Sequence, residues 1–412
     1  MFLCLFLNTV CAQAEPSLED ELKKMRVEFE AMQERLGKLE KQVTQQQGEI
    51  TACQTFKESN EKKIVELEQK LTQTPQGSAD RKIAGRWNPD IGVVADIVTT
   101  LDSGKTDVKG ADRLSVREVE LVLGSAIDPF SRLDATIAFS DEENPSLEEA
   151  YITHFGLPAD VIARFGKFKP KVGKAIPVHR DSLETVDEPL VIQKYFGVEG
   201  YNKSGVDFSK NLDFAGPVTQ QVSFGILEGG NGEEGTAFGK TKRRPTLYSH
   251  LKNYLDITED AGLELGFSHM IGSRDKDARF EVQVLGSDLT LTYHFNAAQT
   301  LKLQSEVFNL SRKETEGLDG NLWGYYALAD LRFHPQWSTG FRYDMVQPVD
   351  LDRSINPQKE DRGITGYLTF HQSEFARWRL QGTHVEQTTG KDDNKIMLQG
   401  TFAIGEHKHK IQ

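Results

Sequence analysis

Few residues in this chain are arranged for chemistry, and each such arrangement is incomplete. Glu118 and Glu120 stand two apart on one face of a strand-like run, as paired carboxylates would in a hydrolase. Carboxylates lining a water-filled lumen give the same pattern. Gly239-Lys240-Thr241 matches the end of a phosphate-binding loop, but that loop also needs glycine at position 234, where Glu234 stands. Lys242-Arg243-Arg244 then runs into Pro245 and a strand, so no helix follows to present its N-terminus to a phosphate. His407 and His409 offer two imidazoles in a lysine-bearing tail, whereas a zinc site takes three or four ligands. No H-E-x-x-H, C-x-x-C or G-x-S-x-G occurs. The sequence therefore predicts no enzyme, no cofactor and no metal.

Two kinds of element organise the rest. The first fourteen residues are apolar and end in Ala12-Gln13-Ala14, the pattern of a cleaved secretory signal. Behind them a single 3-4 spacing carries Leu18, Leu22, Met25, Phe29, Met32, Leu36, Leu39, Val43, Ile50, Cys53, Ile64, Leu67 and Leu71, with only Gln46, Lys57 and Asn60 polar in register. A helix keeps a stripe at period 3.5 on one side only by supercoiling around partners, so an oligomer is predicted. Leu, Met and Phe are mixed in that core, which leaves two strands and three both open. Pro75 and Gly77 end the helix. Cys53, left alone once the signal is removed, reads as a small apolar knob and excludes a disulfide framework.

From Asp90 onward the period changes to two. Val119, Leu121 and Leu123 alternate with Glu118 and Glu120, and Leu133, Ala135, Ile137 and Phe139 alternate with Arg132, Asp134 and Thr136. Trp337, Thr339, Phe341 and Tyr343 likewise oppose Ser338, Gly340, Arg342 and Asp344. Sixteen or seventeen such segments follow, with turn clusters between them. A soluble sandwich or propeller and a membrane barrel compete for this pattern. Three features favour the barrel: full charges in mid-strand, strands long enough for a tilted crossing, and aromatics near strand ends. Those aromatics are Trp323, Tyr325, Tyr326, Phe333, Trp337, Tyr343, Phe375 and Trp378. The fold predicted is thus all-β, a transmembrane antiparallel barrel of about 16 strands, preceded by a periplasmic α-helical coiled coil. The predicted boundaries are a signal over 1–14, a coiled coil over 15–74, a linker over 75–89 and a barrel over 90–412. Residues 170–201 break the rhythm without a period of their own, and a segment of that kind is usually functional. The net charge of −13 argues against a nucleic-acid partner.

Gly166-Lys167-Phe168-Lys169-Pro170, closing a strand and followed by Val172-Gly173, resembles the signature of the phosphate-selective porin family, the O and P porins. Residues 115–123, 147–155 and 187–200, the last with Glu188-Pro189-Leu190, resemble that group and its uncharacterised relatives; here the added element is the coiled coil. The resemblance implies a homotrimer in outer-membrane lipid, a sixteen-stranded barrel and an inward third loop. It also implies a passive channel for small ions or solutes, phosphate among them. The pore-lining, anion-binding residues it implies are Lys167, Lys169, Lys171, Lys174, His179 and Arg180. Ammonium and guanidinium groups at a narrow point replace an anion's hydration. A second function class is a non-channel cell-envelope structural protein that uses the coiled coil as a periplasmic spacer. Planar-bilayer conductance separates the two.

Overall fold

The computed structural model describes residues 89–405 apart from 103–112, 142–143, 199, 213–217, 230–235, 239–243, 275–279, 316–317, 350–359, 389 and 391, together with Arg26. The predicted signal and linker (up to residue 88), the coiled coil save Arg26, the Gly239-Lys240-Thr241 run and the His407–His409 pair lie outside the described residues.

Sixteen strands run in chain order. They are β1 (Asp90–Asp102), β2 (Arg113–Asp128), β3 (Ser131–Phe139), β4 (Ser146–His154), β5 (Ile162–Phe168), β6 (Lys203–Leu212), β7 (Val218–Leu227) and β8 (Thr246–Thr258). There follow β9 (Ala261–Ser273), β10 (Glu281–Asn296), β11 (Gln299–Thr315), β12 (Leu318–His334), β13 (Trp337–Val346), β14 (Asp361–Ser373), β15 (Ala376–Glu386) and β16 (Asp392–Gly405). Each pairs antiparallel with its neighbours in sequence, and β1 closes on β16 in a register from Gly92↔Gly405 to Asp102↔Lys395. Closure leaves no strand edge unpaired. Two-residue turns join β2–β3, β8–β9, β10–β11, β12–β13 and β14–β15 on one rim. An even strand number brings the start of β1 and the end of β16 to that same rim. The connections β4–β5 and β6–β7 lie at that rim too, and most of the connections at the other rim are longer.

The pleat turns alternate side chains to opposite faces, and the burial is the inverse of a soluble protein's. Phe341 is 49% exposed on the outside while its neighbour Arg342 is 1% exposed inside. Leu285, Leu380 and Ile396 are likewise exposed, and Asp96, Asp207, Thr365 and Gln399 are buried. Some interior charges are matched, which offsets the cost of burying them. Arg164 donates to both carboxylate oxygens of Asp207 (3.1 and 3.2 Å through Nε), and Tyr248 adds a hydroxyl donor at 2.7 Å. Most aromatics near the turns face outward, including Phe333, Phe375 and Trp378. Tyr326 does not. It is buried inside, donating to Glu306 at 2.6 Å, because it follows Tyr325 directly and adjacent residues of a strand face opposite sides.

Between β5 and β6 the chain turns into the barrel. This segment carries one helix, α1 (Leu190–Phe196). Its apolar residues Val172, Ile176, Val191, Ile192, Tyr195 and Phe196 join Met270, Phe308, Leu310, Leu322 and Val346 of the wall in one buried cluster. Gly324 makes room for α1: a Cβ there would lie 2.6 Å from Val191.

Candidate functional site

The inward segment is held by the wall at both ends and in its middle. Near its start, Glu306 of β11 accepts the backbone N–H groups of Lys174 (2.9 Å) and Ala175 (2.7 Å). Gly173 permits that approach, with φ +63° and no side chain to collide with the Glu306 carboxylate. Near its end, Asp344 of β13 accepts the N–H of Leu190 at 3.0 Å, and the Tyr195 hydroxyl donates to the Gln347 carbonyl at 3.2 Å.

The middle, residues 179–188, is bound by charge and hydrogen bonds instead. Arg342 donates to Asp344 (2.7 Å) on its own strand and to the Asp187 carbonyl (2.8 Å) on the loop. Gln381 of β15 accepts the Val186 N–H at 2.7 Å. Arg377 donates to the Asp181 carbonyl. Arg379 donates to Leu183 O (2.9 Å), Gln399 Oε1 (3.0 Å) and Thr369 Oγ1 (3.1 Å), three neutral acceptors.

Two cavities flank this middle stretch. One, about 330 Å³, is lined by Ser182, Glu184, Lys302, Asp330, Arg332, His371, Arg377 and Arg379 among others; Arg332 and His371 place it toward the short-turn rim. Its four Lys and Arg side chains face two carboxylates. The other, about 380 Å³, lies toward the long-loop rim, and its charged lining is Arg117, Arg180 and Lys395 against Glu118, Asp187 and Glu188. The first therefore carries a cationic excess and the second is balanced. Loop carboxylates respond to these surroundings. Burial pushes Glu188 up to about 7, against the pull of Lys169, Arg180 and Arg342. Burial would raise Glu184 too, but Lys302 outweighs it and holds that carboxyl below its ordinary value.

The six residues suggested by sequence fall in different places. Arg180 lines the larger cavity. Lys167 shares the outer face of β5 with Phe165 and donates to the Leu147 carbonyl. Lys169 is buried, its ammonium on the Val178 carbonyl at 3.0 Å. Lys171 donates to Ser209 at 2.9 Å, and burial followed by repulsion from Arg164 lowers its pKa. Lys174 pairs with Glu264. His179 is buried among Glu120, Glu148 and Glu149. Burial and then Lys169 oppose charge on its ring, yet the three glutamates outweigh both and raise its pKa well above the ordinary value. Lys302, Arg332, Arg377 and Arg379 are residues that the sequence reading passed over. Arg377 and Arg379 could have been found there, since their i, i+2 spacing puts both on one face of a strand.

A closed sixteen-stranded antiparallel barrel with one segment folded into its lumen defines a porin-type fold. No protein-family model matches the chain. It is similar to an uncharacterised protein of Aquifex aeolicus (strain VF5), 28% identical over 326 residues, which cover 70% of this chain and 68% of that one. Among solved structures it is similar to an anion-selective porin from Comamonas acidovorans, with TM-score 0.53, 11% identity, and 77% of this chain and 99% of that chain covered. A loop L8 deletion mutant of OmpT, an outer membrane protein of Vibrio cholerae, gives TM-score 0.51 at 10% identity over 77% of this chain and 99% of that chain. At these identities the likeness is one of fold.

Proposed function

We propose that this protein is an outer-membrane porin, a passive diffusion channel for small hydrophilic solutes that favours anions, with phosphate a candidate. The apolar exterior and charged interior of a closed barrel support residence in a bilayer. The heptad segment 15–74 is read as a periplasmic coiled coil of a trimer. The observation that carries the anion preference is the cavity in which four Lys and Arg side chains face two carboxylates. An anion entering from the long-loop side meets a balanced vestibule, passes the middle of the inward loop and reaches the arginines of β15. There Arg379 spends its hydrogen bonds on neutral groups, so no direct ion pair among the described residues takes up its charge.

Reconstitution in planar bilayers tests this reading. Stepwise conductance is expected, with a reversal potential of anion-selective sign in a salt gradient. A folded barrel without conductance would favour a structural protein of the cell envelope. A detergent-solubilised mass of one chain would sink the trimer.

A further inference from the structure

The glutamates that face His179 take no part in the proposed ion path. Both ring nitrogens face carboxylates. Nε2 lies 3.1 Å from Glu149 Oε2, while Nδ1 lies 3.1 Å from Glu148 Oε2 and 3.4 Å from Glu120 Oε1. Glu120 is only 3% exposed. Its Oε1, like Oε2 of Glu148, is buried and accepts no aligned hydrogen bond among the described residues. Glu118 stands beside Glu148, a fourth glutamate behind the three that face the imidazole. Lys169 is close by, but its ammonium is engaged by the Val178 carbonyl. A lone pair on Nδ1 aimed at two buried carboxylates would be repulsive, so a positive charge belongs between them.

We propose that His179 Nδ1, Glu120 Oε1 and Glu148 Oε2 bind a zinc-like divalent cation that ties the inward loop to β2 and β4. The three ligand atoms lie within 4.8 Å of one another. Ligands about 2.0–2.1 Å from a tetrahedral zinc ion sit about 3.3–3.4 Å apart. The observed separations of 3.1 and 3.4 Å from Nδ1 match that spacing. One nitrogen and two carboxylate oxygens suit zinc better than calcium or magnesium, which take oxygen ligands throughout. Glu149 completes the arrangement from outside the metal. It accepts from Nε2–H, which fixes the tautomer that leaves Nδ1 to the ion. A water or Glu118 takes the fourth position. The site adjoins the larger cavity through Glu118 and does not depend on which solute passes.

The test uses the full chain in detergent micelles, with His407 and His409 both changed to Asn to remove the tail imidazoles. After gel filtration in a zinc-buffered solution, elemental analysis should find one zinc per chain. X-ray absorption at the zinc edge should show a single imidazole among light oxygen ligands. His179→Asn and Glu120→Gln should each lose the ion, and Glu149→Gln should keep it at an affinity weaker by about 10–100-fold. Heat-modifiable gel mobility reports that each barrel is folded; should His179→Asn not fold, the isosteric Glu120→Gln is read in its place. No zinc on the folded parent chain, or an undiminished equivalent on folded Glu120→Gln, overturns the proposal and leaves a protonated His179 as the charge between the carboxylates.

Discussion

The two flanks of the inward loop and its middle are held by different physics. The flanks bury Val172, Ile176, Val191, Ile192, Tyr195 and Phe196 against β9 and β11–β13. The middle, from His179 to Glu188, offers mostly charge and main-chain polar groups to β2, β4, β13 and β15. Burying a large apolar side chain contributes about 1.5–3 kcal/mol and is indifferent to the sign of a passing ion. Hydrogen bonds contribute about 1 kcal/mol net, but the charges that make them reach into water. On the proposed reading, the apolar flanks do most of the anchoring, while the charged middle adds hydrogen bonds and sets the ion preference. On that reading, sequence change in the middle should retune ion preference while the flanks keep the loop in place.

The sharpest way to break this division is to weaken a flank. Phe196 stacks edge-on against Phe308 and Tyr201, with ring centroids 5.4 and 6.0 Å away. Phe196→Ala should cost about 3–5 kcal/mol of local stability. The loop should then become open to proteolysis while the barrel keeps its heat-modifiable mobility, and open-channel noise should rise. Unchanged protease protection would mean that the polar middle alone holds the loop.

Weakening the middle should have the opposite character. Arg377→Gln combined with Arg379→Gln removes two of the four Lys and Arg side chains facing the smaller cavity and matches the rest to its two carboxylates. The anion-to-cation permeability ratio should fall by about tenfold, equivalent to about 1.4 kcal/mol, with little change in loop protection. A selectivity that survives both substitutions would move the filter elsewhere, Arg180 being the next residue to change.

The barrel was legible because a period of two is local: Leu121 and Glu120 reveal their faces to anyone counting along one strand. The inward loop was legible as a break in that period. Tyr326 was misplaced among the rim aromatics because composition near strand ends was weighed without the alternation that separates it from Tyr325. The cavity with the cationic excess was harder to see. The loop's Leu183 meets Arg379 across 196 residues of sequence, and Asp187 meets Arg342 across 155. No spacing rule reaches so far. The lysines of Gly166-Lys167-Phe168-Lys169-Pro170 drew attention because they are adjacent in sequence, yet folding sends Lys167 outward and Lys169 onto a carbonyl.

The smallest expected effect is also the most specific to the middle of the loop. Glu188 lines the larger cavity, and burial pushes its pKa up to about 7. Below that pH the carboxyl is neutral; above it, one negative charge appears beside the path. Anion preference should therefore decrease as pH rises through about 7. A unit charge about 8 Å away in water changes an ion's energy by about 0.5 kcal/mol, so the permeability ratio should change about twofold. The stability sign follows from the same shift. The folded value lies above that of a free glutamate, so folding takes up a proton there. That contribution is fully present below the free-glutamate value and is lost as pH rises through about 7. Glu188→Gln should hold the ratio at its low-pH level throughout. Reversal potentials of both proteins across this range check the assignment. A step of equal size in Glu188→Gln would transfer the titration to another group and leave Glu188 as part of the anchoring instead.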